Sequence, residues 1–135
     1  MARRPARGPL RVLIADDSKP IADMLTELIA ERGRVEVVGV GDSEESVLGA
    51  IRALAPDVVV LDLQLAAGSG TNVIRAVRAD PALKATRLLV TSNHVSAPMR
   101  AGCMELGADQ FFDKVKELDA LAKRIGELAD ARLAG

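Results

Sequence analysis

The chain has 135 residues, 49% of them hydrophobic and 27% charged, enough to bury one core without staples and too short for two ordinary domains. Its 18 Lys and Arg against 19 Asp and Glu leave a formal charge of -1, so no global field draws it toward nucleic acid or an acidic membrane surface. Phe111 and Phe112 are its aromatic residues and Cys103 its one cysteine, which argues against a base-stacking platform and a structural zinc site and excludes an internal disulfide.

Residues 1–9 carry Arg3, Arg4 and Arg7 among Pro and Gly and read as a disordered basic arm. No apolar stretch of signal-peptide or membrane-spanning length follows, so the expected setting is a reducing cytoplasm with no membrane partner. From Leu10 onward, apolar runs at 10–15, 35–40, 58–61, 87–91 and 110–112 alternate with helical patterns. In the first helix Ile21, Met24, Leu25, Leu28 and Ile29 recur at helical spacing behind Ser18 as N-cap and Pro20 in the first turn. The second is expected to start around Asp42 and Glu45, to bury Val47, Leu48, Ile51 and Leu54, and to be ended by Pro56. The third covers 71–79 with Val73, Ile74 and Val77 inward, the fourth 98–106 before Gly107, and the fifth 117–133 with Leu118, Leu121, Ile125 and Leu128 on one side. Such alternation predicts an α/β fold, a parallel sheet with helices on both faces. The unbroken run at 58–61 predicts a strand buried on both sides.

In open parallel sheets the working site lies at the carboxyl ends of the strands. There the sequence places Asp16 and Asp17 after strand one, Asp62 after strand three, Thr91-Ser92 at strand four and Asp113-Lys114 after strand five. Three close carboxylates repel one another unless a counter-charge is supplied. Mg2+ answers that need, since it takes oxygen ligands from one or two carboxylates, water and phosphate. Lys114 offers a mobile point charge and Ser92 a hydroxyl for phosphoryl oxygens, and an Asp carboxylate is itself a nucleophile for phosphoryl groups. The set reads as a metal-assisted phosphoacceptor site. Asp113 is read as solvent-facing with no role, Cys103 as a packing residue, and Gly68-Ser69-Gly70 as a flexible loop that lacks the trailing Lys of a nucleotide-binding P-loop.

From about Leu10 to Leu133 the chain resembles the receiver domain of response regulators in two-component signalling. The resemblance rests on Leu13-Ile14-Ala15-Asp16-Asp17, on Val58-Val59-Val60-Leu61-Asp62-Leu63, and on Gly107-Ala108-Asp109 leading to Phe112-Asp113-Lys114. Asp17 to Asp62, Asp62 to Ser92 and Ser92 to Lys114 are 45, 30 and 22 positions apart, which matches the family and puts Ser92, rather than Thr91, in register. The resemblance implies a flavodoxin-like doubly wound fold over 10–135 with strand order 2-1-3-4-5. It also implies Asp62 as phosphoacceptor, and Mg2+ held by Asp16, Asp17, Asp62 and the backbone carbonyl of Gln64. Lys114 and Ser92 would contact the phosphoryl group, with Ser92 and Phe111 as switch residues and Gln64 and His94 tuning the lifetime of the phosphate. Donors would be a sensor histidine kinase, a histidine phosphotransfer protein or a small acyl phosphate. Output would pass through helix four, strand five and helix five to a protein partner, with no direct contact to nucleic acid. The chain would be a monomer or a phosphorylation-dependent dimer, and a switch that assists its own phosphorylation and dephosphorylation rather than an enzyme. Val115 follows Lys114 where the family commonly has proline, and Ala66 stands where another proline is usual.

Two other readings compete. A degenerate receiver would serve as a phosphorylation-independent docking module, but would be expected to have lost its acceptor or acids. A flavodoxin-like small-molecule binder shares the fold, but would be expected to carry aromatic stacking and a hydroxyl-rich phosphate loop.

Overall fold

The computed structural model describes residues 8–134; residues 1–7, most of the expected basic arm, and Gly135 lie outside the described residues. Five strands, β1 (Leu10–Ala15), β2 (Val35–Gly41), β3 (Val58–Asp62), β4 (Arg87–Ser92) and β5 (Gln110–Asp113), alternate with α1 (Lys19–Ile29), α2 (Glu44–Leu54), α3 (Gly70–Ala79), α4 (Ala97–Leu106) and α5 (Leu118–Ala134). A short 3-10 turn, Pro81–Leu83, follows α3. The strands are all parallel, in the expected order 2-1-3-4-5.

Four strands run one residue further at the carboxyl end than hydrophobicity indicates. Gly41 pairs with Ala15, Asp62 with Thr91 and Ser92 with Asp113. The backbone ladder continues past the last apolar side chain, so Asp62 and Ser92 are held by the sheet itself rather than by a loop.

Alternation along the strands divides the core in two. Val12, Ile14, Val58, Val60 and Leu89 face α1 and α5 together with Leu25, Phe112, Leu121 and Ile125. Leu13, Val59, Leu61 and Val90 face the other layer with Val47, Ile51, Ile74 and Phe111. Every residue of β3 is buried, as its unbroken apolar run requires. Each such Val, Leu or Ile contributes about 1.5–3 kcal/mol by leaving water. Cys103 is buried among the second group.

Ser18 caps α1 and Pro20 lies in its first turn, as expected, while the other helices start one or two residues away from expectation, for reasons the caps of α2 to α4 show. Ser43, not Asp42, caps α2: Ser43 Oγ accepts from the Ser46 N–H and Ser46 Oγ accepts from the Ser43 N–H, both at 3.1 Å, a reciprocal capping box. Ser69 and Ser96 do the same single-sided work for α3 and α4. Ala55, in the left-handed region at φ 44° and donating to the Ile51 carbonyl, stops α2 before Pro56 is reached. At the base of the sheet Arg132 Nε donates to the carbonyls of Gly8 and Pro9, which anchors the end of the expected arm to α5. Among the described residues no helix is long and apolar enough to cross a membrane.

Candidate functional site

β1 and β3 deliver three carboxylates to one edge of the sheet. Ligand oxygens of Asp16, Asp17 and Asp62 lie within 4.8 Å of one another. Asp16 and Asp62 are buried and Asp17 is exposed, so the cluster opens to water on the Asp17 side. Asp16 Oδ1 accepts from the Ser18 N–H at 2.9 Å, which ties the acid pair to the start of α1. Asp62 Oδ1 accepts from the Gln64 N–H at 3.0 Å, which fixes its carboxylate plane.

Lys114 reaches this cluster from the end of β5. Its Nζ donates to Asp62 Oδ2 at 2.9 Å and stands 2.6 Å from Asp16 Oδ2 as an ion pair. All three side chains are 5% exposed or less. Burial pushes the Asp62 carboxyl above its ordinary value, a rise that the hydrogen bonds from Lys114 and Gln64 only partly offset. For Lys114 burial pulls downward, but the Asp16 and Asp62 carboxylates beside it outweigh that and the ammonium is held above its ordinary value. One ammonium against three carboxylates leaves two negative charges uncompensated when all are ionised. An all-oxygen donor set with that excess suits a hard divalent cation such as Mg2+.

The remaining expected residues lie on β4 and β5 or follow β3 and β4. Ser92 is buried, and its hydroxyl is engaged in the turn after β4, donating to the His94 carbonyl at 2.9 Å and accepting from the His94 N–H at 3.1 Å. His94 and Gln64 are exposed, and His94 lines a cavity with Ser96, Met99 and Asp113. Phe111 is 4% exposed and packs with Val90 and Cys103 in the second core layer. The guanidinium of Arg100 sits 5.1 Å over its ring and donates to the Phe111 carbonyl at 2.8 Å.

Two residues gain roles that the sequence did not indicate. Asp113 is half-buried rather than solvent-facing, and its Oδ1 accepts from the N–H groups of Val115 and Lys116 at 2.8 and 3.1 Å. That turn orders the loop behind Lys114, where the family's proline is absent. The signal was present as an Asp followed by a polar loop, but it is too common to single out. The second is Glu44, whose Oε1 accepts from the Ser69 N–H and from Asn72 Nδ2 at 3.0 and 3.1 Å. Those bonds, Ser69 first, hold its carboxyl below the ordinary carboxylate range.

Comparison with known proteins gives a consistent picture. A family model described as the response regulator receiver domain matches residues 12–126. The chain is 44% identical over 85 residues to protein-glutamate methylesterase/protein-glutamine glutaminase 3 of Myxococcus xanthus, covering 62% of this chain and 23% of that protein. It is 32% identical over 115 residues to the DNA-binding response regulator MtrA of Mycolicibacterium paratuberculosis, covering 85% of this chain and 49% of that protein. It therefore spans about half the length, or less, of these curated relatives. Among solved structures, the receiver domain of the putative response regulator NarL from Mycobacterium tuberculosis superposes with a TM-score of 0.81 at 28% identity, covering 91% of this chain and 98% of that one.

Proposed function

The chain belongs to the response regulator receiver domain family, and from that premise we propose that it is a phosphoryl-operated switch in which Asp62 is the acceptor. The observation that carries this reading is the buried Lys114 ammonium set between Asp16 and Asp62, beside a third carboxylate. Asp16, Asp17, Asp62 and the Gln64 carbonyl are the groups that would hold Mg2+. When bound, Mg2+ supplies positive charge that offsets the carboxylates and the transferring phosphoryl oxygens.

An Asp62 carboxylate oxygen attacks the phosphorus and forms the new O–P bond. The P–N bond of a donor phosphohistidine, or the P–O bond of an acyl phosphate, breaks with its electron pair leaving on the donor. Positioning and charge compensation supply most of the rate in such transfers. Lys114 is suited to follow the negative charge from the carboxylate to the new phosphoryl group. Ser92 is suited to exchange its bond with the His94 carbonyl for one to a phosphoryl oxygen. That exchange would draw the turn after β4 inward and change the packing around Phe111, so the surface of α4, β5 and α5 would differ between the two states. A sensor kinase or phosphotransfer protein is the proposed donor and a protein partner the proposed reader.

The test is incubation with acetyl phosphate and Mg2+ followed by intact mass measurement. The expected result is one phosphoryl mass on the wild type and none on Asp62→Asn. A wild type that never gains that mass, with small donors or a competent kinase, returns the chain to the docking-module reading.

A further inference from the structure

The segment between Asp62 and α3 presents Gln64 to the site, yet its own sequence gives it little rigidity. It reads Leu63-Gln64-Leu65-Ala66-Ala67-Gly68-Ser69 and contains no proline. Its roots are tied to the sheet: the Leu63 N–H donates to the Thr91 carbonyl at 3.2 Å and the Gly70 N–H to the Leu63 carbonyl at 3.0 Å. Between the roots it leans on the start of α2. The Ala66 N–H donates to the Asp42 carbonyl at 2.8 Å, and the Glu44 N–H to the Ala67 carbonyl at 2.9 Å.

The Glu44 side chain completes this contact. Its Oε1 takes the Ser69 N–H and the Asn72 amide together, and Ser69 is in turn bridged to Gln64. A relay therefore runs from Glu44 to the Asp62 carboxylate: Glu44 holds the Ser69 N–H, Ser69 pairs with Gln64 across a bridge closed by the flanking Gly70 N–H to Leu63 carbonyl bond, and the Gln64 N–H holds Asp62 Oδ1. Packing along it is close. Gly68 is at φ +79°, and a Cβ there would fall 2.4 Å from Glu44 Cβ and 2.5 Å from its Oε1.

We propose that Glu44, the first residue of α2, is a positioning residue for the phosphoacceptor loop: its carboxylate holds Ser69 so that the loop keeps the Gln64 carbonyl in place for the metal. The proposal rests on the receiver reading above. It assigns to a side chain on a neighbouring helix the stiffness that proline would lend the loop itself. Glu44 also favours α2 simply by placing negative charge at a helix N-terminus, and the two roles separate on substitution. Glu44→Asp keeps the charge at the helix start but shortens the reach to Ser69. Glu44→Gln loses the charge and keeps an oxygen at the right distance.

The test uses the full chain and two readouts: amide hydrogen exchange at Ser69 without metal, and Mg2+ affinity by calorimetry. Glu44→Asp and Glu44→Ala are expected to speed Ser69 exchange and to weaken Mg2+ binding by about tenfold, the low end for a group acting behind a metal ligand. Glu44→Gln is expected within twofold of wild type on both. Should Glu44→Ala fail to fold, the Asp and Gln variants decide. Exchange and affinity in Glu44→Asp equal to wild type would overturn the proposal, as would Glu44→Gln behaving like Glu44→Asp. A wild type that binds no Mg2+ would refute the receiver chemistry instead, and Ser69 exchange would still judge the hold of Glu44 on the loop.

Discussion

Lys114 Nζ lies 2.9 Å from Asp62 Oδ2, so the proposed acceptor has an ammonium partner from the residue after β5 before any ligand arrives. The same Nζ serves Asp16, and removing it would leave two buried carboxylates without their cation. Lys114→Ala is therefore expected to lose about 3 kcal/mol in metal-free buffer, the lower end for breaking a buried pair because the site opens to water beside Asp17. Urea unfolding at neutral pH measures it. Asp62→Asn should cost far less, since Lys114 keeps Asp16 and the mutual repulsion of the acids falls. A Lys114→Ala loss no larger than that of Asp62→Asn would show that the ammonium does not stabilise the cluster.

Metal addition gives the complementary measurement. A cation that binds the folded cluster but not the unfolded chain stabilises the fold by about 2.7 kcal/mol at a hundred times its dissociation constant. Thermal unfolding of the wild type is expected to shift upward with Mg2+ concentration. Asp17→Asn, an exposed change with little effect on packing, should flatten that shift while leaving the metal-free midpoint nearly unchanged. Equal Mg2+ dependence in both proteins would remove Asp17 from the ligand set.

Gly70 tests how tightly α3 is drawn against the acceptor strand. A Cβ at this position would fall 2.5 Å from the Asp62 carbonyl oxygen and 2.8 Å from Leu63 Cα, and both are backbone that cannot swing aside. Gly70→Ala is expected to destabilise by about 1–3 kcal/mol, the usual range for forced overpacking, and to slow acceptance of phosphate from acetyl phosphate. A variant with wild-type stability and rate would mean that the start of α3 can move away from Asp62 freely.

The acids of the cluster were legible because they stand at the carboxyl ends of apolar runs, where Asp62 follows Val58-Val59-Val60-Leu61 and Asp16 follows Leu13-Ile14-Ala15. Strand order was legible only through the family resemblance, since alternation by itself is compatible with several arrangements. The carboxyl ends of β2 to β5 were read one residue short because hydrophobicity ends before hydrogen bonding does, as the Asp62 and Thr91 pair shows. Glu44 and Asp113 were not legible. Glu44 acts on a residue 25 positions away, and a lone Glu at a helix start looks the same whether or not a loop folds against it. Asp113 acts through a local backbone turn, and an Asp before a loop is too common a pattern to single out.

Arg100 and Glu117 join α4 to the start of α5 across Phe111, and this clip is open to titration. Glu117 Oε1 accepts from the Asp113 N–H at 2.9 Å and from Arg100 Nη2 at 3.1 Å; these bonds, Asp113 first, hold its carboxyl below the ordinary 4.5. A carboxyl depressed in the folded state contributes stability that is fully present above its unfolded value and lost as pH falls through the folded one. The stability gap between wild type and Glu117→Gln is therefore expected to be constant above the ordinary carboxyl value of 4.5 and to close as pH falls below it through the depressed folded value, because Gln can still accept from Asp113 but carries no negative charge. Urea midpoints of the two proteins across that range give the gap directly, and added salt should narrow it because both side chains are partly exposed. A gap that stays level as pH falls well below 4.5 would show that the ionised Glu117 carboxylate does not fasten the start of α5 to Arg100 and Asp113.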